Sequence, residues 1–303
     1  MVLRGNMEVY NISKKEYKKM EKFELANDIF NTECQLFVMP VKDKWSVENK
    51  LLKRFYLLSG IMFGNKLKTI NSLIDIQKYC DIDRLILPEK LAVYEDRVVG
   101  YIMKLVNSDN LKTLLDDFYV PLDDKISYFK QIGSILREMK NFRKYNHKPD
   151  FFLNDMHSNN FVVEKGTDKV YVCDMDSAKI DGNMVFGSMM LSCNSPAYLV
   201  NKYKYVSDGR CGGVLEPDEN TDLFCYNIMI LNFLYNGNIL SLDMNGFYQY
   251  LDYLSSLGLN KELLDIFAKV YDMSNNENPD YLLDYLKDVY PQSLFPVYKR
   301  KKL

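Results

Sequence analysis

Histidine is almost absent from this 303-residue chain, which contains only His147 and His157. Its six cysteines, Cys34, Cys80, Cys173, Cys193, Cys211 and Cys225, include no C-x-x-C pair. Both shortages argue against a zinc site, which needs closely spaced Cys and His ligands. Scattered thiols with apolar neighbours fit reduced core residues better than a disulfide frame. No run of 18 apolar residues is present, so no segment is suited to cross a bilayer as a helix. The opening MVLRGNMEVYNISKKEYKKMEKF lacks the apolar stretch of a secretory signal, and the expected location is the cytoplasm. Neither sign of charge is in excess: 39 Lys and Arg against 41 Asp and Glu leave a formal −2, which gives no bulk attraction to nucleic acid. The basic clusters Lys14 to Lys22 and Lys299 to Lys302 read as solvated ends. Repeats and low-complexity linkers are missing as well. Apolar bulk is plentiful, at 47% hydrophobic and 14% aromatic, and is enough for substantial cores.

The most informative segment is Phe151 to Asp176, FFLNDMHSNNFVVEKGTDKVYVCDMD. Phe161 to Val163 and Lys169 to Cys173 are β-rich runs around the turn residues Glu164 to Asp168. They predict a hairpin with Asn160 and Asp174 together at its open end. On the preceding loop, Asp155 can orient an attacking hydroxyl, while Asn160 and Asp174 can hold Mg²⁺ bridging the phosphates of a nucleotide. Taken alone, Asp-x-His-x-x-Asn also fits a polar loop with an Asx turn and a hydrogen-bonded histidine. The strand that leads into Asp174 favours phosphoryl transfer.

Asp155, His157, Asn160 and Asp174, in this order and spacing, resemble the catalytic and metal-binding loops of the protein kinase-like superfamily. The resemblance implies an α+β, bilobal fold, with a small β-rich N-terminal lobe over residues 1–106 and a larger, mainly helical C-terminal lobe over 107–303. Three details depart from protein kinases. Leu153-Asn154-Asp155 stands in place of His-Arg-Asp, and Asp174-Met175-Asp176 in place of Asp-Phe-Gly. His157 is similar to the histidine in the Asp-x-His-x-x-Asn of aminoglycoside and choline kinases.

Upstream, the strand-like run Cys34 to Lys42 resembles the kinase strand that ends in a phosphate-binding lysine. That implies Lys42 on the α- and β-phosphates, with Lys44 as competitor, paired to Glu48. Glu48 is the only acid on a helix expected from a Ser46 cap through Val47, Leu51, Leu52, Phe55 and Leu58 to Gly60. Leu25 to Thr32, in the place of the glycine-rich phosphate loop, contains no glycine, although Asn27, Asp28 and Asn31 can form a turn. Ile86 to Val106 reads as two strands joined by Glu95-Asp96-Arg97, and Asn107 to Asn110 as the opening of a helix. By resemblance Met103 is the gatekeeper, and the backbone of Lys104 and Val106 hydrogen-bonds adenine.

Downstream, Ile126 to Tyr145 has the apolar spacing of a one-faced helix. Asn194 to Tyr198 resembles the end of an activation segment, but Asn201-Lys202 follows where that family has Pro-Glu. Thr221 to Gly237 reads as a buried helix, with Thr221 as its cap and Asp222 in the place of the aspartate that holds the catalytic-loop backbone. Phe247 to Tyr290 reads as three amphipathic helices. The implied activity is transfer of phosphate from ATP, with Mg²⁺ or Mn²⁺, to a serine or threonine of a protein, with His157 among the nucleotide-binding residues. A nucleotide and a protein substrate are the expected partners; nucleic acid and membrane are not. Two alternatives stay open. A small-molecule kinase is favoured by His157 and the missing Pro-Glu, and a nucleotide-binding pseudokinase by the glycine-free loop.

Overall fold

The computed structural model describes residues 8–22, 34–42, 47–56, 58, 61–183, 197–202, 205–207, 212–214, 216–272 and 275–294. Leu25 to Thr32, Lys44, Ser46 and Asn194 to Pro196 lie outside them. Strands dominate the first part of the chain and helices the second, giving an α+β architecture.

The first part contains β1 (Val9–Asn11), α1 (Lys14–Lys19), β2 (Glu21–Lys22), β3 (Cys34–Lys42), β4 (Val47–Phe55), α2 (Ile61–Gln77), β5 (Pro88–Tyr94) and β6 (Arg97–Lys104). The strands form one six-stranded sheet in the order β1-β5-β6-β4-β3-β2, antiparallel except where β1 runs beside β5. The helix expected over residues 46–60 is not found: Val47–Phe55 is a strand, and the helix begins at Ile61. The apolar residues there meet two different cores. Leu51 and Phe55 pack with Cys34, Tyr101 and Met103 against Leu67, Ile70 and Ile74 of α2. Leu52 packs on the opposite face with Met39, Val41, Ala92 and Ile102, under Ile12 and Tyr17 from the N-terminal segment. With Leu51 and Leu52 facing opposite sides of one strand, the spacing Val47, Leu51, Leu52, Phe55 mimics a helical stripe, which periodicity alone does not separate from a strand with both faces covered. Gly100 on β6 lies where a Cβ would come within 1.9 Å of the Lys53 carbonyl oxygen, so only glycine admits the close approach of β6 to β4.

Three short strands, β7 (Ser108–Asn110), β8 (Phe161–Glu164) and β9 (Val170–Val172), form a second sheet. The expected hairpin is β8–β9. Around it lie α3 (Leu111–Asp116), α4 (Leu122–Tyr145), α5 (Ala197–Lys202), the pair β10 (Tyr205–Ser207) and β11 (Gly212–Val214), then α6 (Glu219–Tyr235), α7 (Met244–Ser256) and α8 (Lys261–Asp272). A 3-10 run, Asp280–Tyr285, leads into the short α9 (Leu286–Val289). Ile126, Phe129, Ile132, Ile135, Leu136 and Met139 of α4 are all buried in one core with α6, α7 and α8. Helix α6 is buried on most of its circumference. Its cap is Asp218, joined by Thr221 in a reciprocal capping box, and Asn236 closes it in the left-handed conformation. No helix among the described residues is long and apolar enough to cross a membrane.

Candidate active site

The loop that leaves α4 is fixed from two sides. Phe152 and Lys179 exchange backbone hydrogen bonds of 3.0 Å. From α6, the buried Asp222 accepts the backbone N–H groups of Leu153 at 2.9 Å and Asn154 at 3.0 Å. Burial pushes the Asp222 carboxyl up to about 6, against the two amides that favour its charged form. Asn154 adopts a left-handed backbone with φ of 63° and donates its side-chain amide to the Ser177 carbonyl at 2.9 Å. Asparagine tolerates that conformation better than most residues. This places Asp155 at the tip of a tethered turn. Asn160 donates to the Asp155 carbonyl at 2.7 Å and to its carboxylate at 3.3 Å, and His157 Nε2 lies 3.7 Å from the other carboxylate oxygen.

The hairpin brings the second half of the site to the same place. The Cys173 N–H donates to the Asn160 carbonyl at 2.9 Å, so Asp174 follows directly beside Asn160. Asp174 is left-handed, with φ of 59°, and opens a 3-10 turn over Met175–Ser177. That turn directs Asp174 and Asp176 into different surroundings. The Asp174 side chain is 40% exposed, whereas that of Asp176 is 2% exposed. Lys53 of β4 is ion-paired to both, reaching Asp176 Oδ2 at 2.8 Å. Lys66 of α2 reaches Asp176 Oδ1 at 3.2 Å. Burial alone would raise the Asp176 carboxyl, but Lys53 and Lys66 hold it well below the usual carboxylate range. Burial would likewise lower the Lys53 ammonium, and Asp174 and Asp176 hold it well above its ordinary value. The adjacent thiols are pushed up by burial, Cys34 to about 11 and Cys173 to about 12, so neither is a thiolate at neutral pH.

The structure thus brings Asp155, His157, Asn160 and Asp174 together, and it does not bring Lys42 or Glu48 to them. Lys42 pairs in register with Val47 at the far end of the β3–β4 hairpin, six residues along β3 from Leu36, the partner of Lys53. Six strand residues span about 20 Å. Glu48 is 59% exposed and ion-paired to Lys50. Lys53 therefore stands where Lys42 was expected, because the chain enters β4 as a strand. A signal for Lys53 was present: it lies between Leu51 and Phe55 at strand spacing, and an inward lysine on an apolar face needs a carboxylate partner. Met103 is buried in the cluster of Leu51, Val106, Val162 and Tyr171. Lys104 ends β6, with its ammonium 4.7 Å from the Tyr171 ring centroid. Val106 follows in the short link to β7, where its carbonyl accepts the Ser108 hydroxyl at 3.2 Å.

The donor set fits Mg²⁺ only in part. The described residues hold no group of three or more His, Cys, Asp or Glu arranged for a metal ion. Asp174 offers one partly exposed carboxylate. Asn160 commits its amide nitrogen to Asp155, so its amide oxygen is the atom it could offer a cation. One carboxylate and one neutral oxygen suit a cation that keeps waters or phosphate oxygens as its other ligands, as Mg²⁺ does. Compared with protein-family models and with curated proteins, the chain shows no match.

Proposed function

We propose that the chain is an ATP- and Mg²⁺-dependent phosphotransferase of the bilobal protein kinase-like fold. The observation that carries this reading is the meeting of Lys53 and Asp174, 121 residues apart, beside the linked pair Asp155–Asn160. The layout around them supports it: a sheet with its lysine on the strand before a long helix, a short link after β6, and a helical body holding the acids.

In this reading Lys53 takes the α- and β-phosphates, the role first expected of Lys42. Asn160 and Asp174 hold Mg²⁺, which when bound neutralises charge on the phosphates. Asp155, steadied by Asn160 and by the loop that Asp222 fixes, orients the acceptor hydroxyl. His157 borders the same carboxylate, Met103 walls the base, and the backbone of Lys104 and Val106 reaches its edge. The acceptor is a serine or threonine of a protein.

A second reading, a non-catalytic scaffold of the same fold, is favoured by one observation. Leu51, Met103, Val106, Val162 and Tyr171, which would wall the base, belong to one contiguous buried cluster. Incubation with γ-labelled ATP and Mg²⁺, followed by mass spectrometry, tests the proposal. Label on serine or threonine, of the chain itself or of a supplied basic protein, is the expected result. Turnover stimulated only by a sugar, an aminoglycoside or an amino alcohol would move the acceptor to the small-molecule class. Binding of ATP with no turnover would favour the scaffold.

A further inference from the structure

Helix α2 occupies the place from which an acid would align Lys53, yet it has none to offer there. Its only acidic residue is Asp75, nine residues beyond Lys66 and about 13 Å farther along the axis. Asp75 is bound to Lys78 at 3.0 Å. What α2 presents is a cation, Lys66, and the carboxylate between it and Lys53 belongs to Asp176. Asp176 is 2% exposed and Lys53 5%, with Lys66 at 15%, so solvent screens this row of charges little.

We infer that Asp176 and Lys66 form a charge-inverted strut: the metal-site loop supplies the carboxylate that aligns Lys53, and α2 supplies the counter-cation. The inference rests on the phosphotransferase reading for its consequence and on geometry for its existence. Two lysines and two aspartates balance in charge. Were Lys53 to exchange Asp174 for a phosphate oxygen, Asp176 would still hold its ammonium, and Lys66 would keep the buried Asp176 carboxylate paired. Because α2 also carries Leu67, Ile70 and Ile74 into the sheet core, the strut ties the helix, the lysine strand and the Asp174 loop into one unit. Asp176 and Lys66 are positioning residues, acting on the phosphates only through Lys53.

The test compares Lys66→Met and Lys66→Arg in the full chain. Without nucleotide, Lys66→Met should speed amide exchange about tenfold in residues 61–77 and in 174–179 together, while α4 stays unchanged. With Mg²⁺-ATP it should lower kcat about tenfold and shift the KM for ATP by less than about threefold, because alignment is lost and metal binding is kept. Lys66→Arg should restore both. Exchange that rises in α2 alone, wild-type kinetics in Lys66→Met, or an arginine variant as impaired as the methionine one would overturn the strut. If the wild-type chain neither binds nor turns over ATP, the phosphotransferase reading fails, and the exchange experiment still decides whether the strut exists.

Discussion

Lys53 is nearly buried and held by two carboxylates, so its removal should be felt in folding as well as in binding. Lys53→Met leaves Asp176 with Lys66 alone, and breaking a buried pair from one side costs about 3 kcal/mol. Urea denaturation should show a loss of that order. Mg²⁺-ATP should no longer raise the melting temperature of this variant, whereas Lys42→Met should keep the wild-type response. Asp222 gives a prediction in pH. Its carboxyl is raised to about 6 in the folded chain from 3.8, so the folded state binds more protons than the unfolded state between those values. Stability from this group is therefore fully present below about pH 4 and is lost as pH rises through about 6. The change amounts to about 3 kcal/mol at 1.36 kcal/mol for each pH unit. Denaturation of the wild type minus that of Asp222→Asn should fall across this window. A flat difference would show that the carboxyl titrates as it does in the unfolded chain.

Among the elements, β4 and α2 decide the site, and two glycines test them in opposite directions. Gly100→Ala would place a Cβ against the Lys53 carbonyl, forcing β6 away from β4. It should destabilise by about 1–3 kcal/mol or more and weaken nucleotide binding with it. Gly64, inside α2, has nothing within 4 Å of an added Cβ, so Gly64→Ala should stabilise by about 0.5–1 kcal/mol. Chemical denaturation of both variants checks the two signs. The elements differ in how far local sequence announces them. The β8–β9 hairpin, the strand β3 and the long helices α4 and α6 were legible because each has a local signature: turn residues between β-rich runs, or a helical face of sufficient length. β4 was not, because its apolar residues serve two cores that only the sheet order reveals. The loss of β4 also hid Lys53, since on a helix it would have been one more surface lysine. Lys66 and Asp176 were illegible for a related reason. Their meaning lies in a contact across 110 residues: Lys66 has no distinctive neighbourhood in the sequence, and Asp176, although it ends the Asp174-Met175-Asp176 motif, gives no sign there of which lysines it meets. β1 lies parallel to β5 through a pairing 82 residues apart, which no periodicity announces.

At the scale of the molecule, the site lies where two cores meet. Helix α2 contributes Leu67, Ile70 and Ile74 to the sheet core and Leu73 and Ile76 to the helical core. The β8–β9 hairpin does the same, with Val162 and Tyr171 on one side and Phe161, Val163, Val170 and Val172 on the other. Lys53 arrives with the first core and Asp155 with the second, and the Asp174 loop joins them. The measurement that tests this most directly is the thermal shift with Mg²⁺-ATP for the wild type, Asp174→Asn and Asp155→Asn. At a hundredfold excess over Kd, the wild type should gain about 2.7 kcal/mol, read as a higher melting temperature. Asp174→Asn should lose most of that gain, and Asp155→Asn should keep it while losing phosphoryl transfer. A wild-type chain that does not respond to Mg²⁺-ATP, or an Asp174→Asn variant that responds as fully as the wild type, would contradict the assignment of this site to nucleotide phosphates.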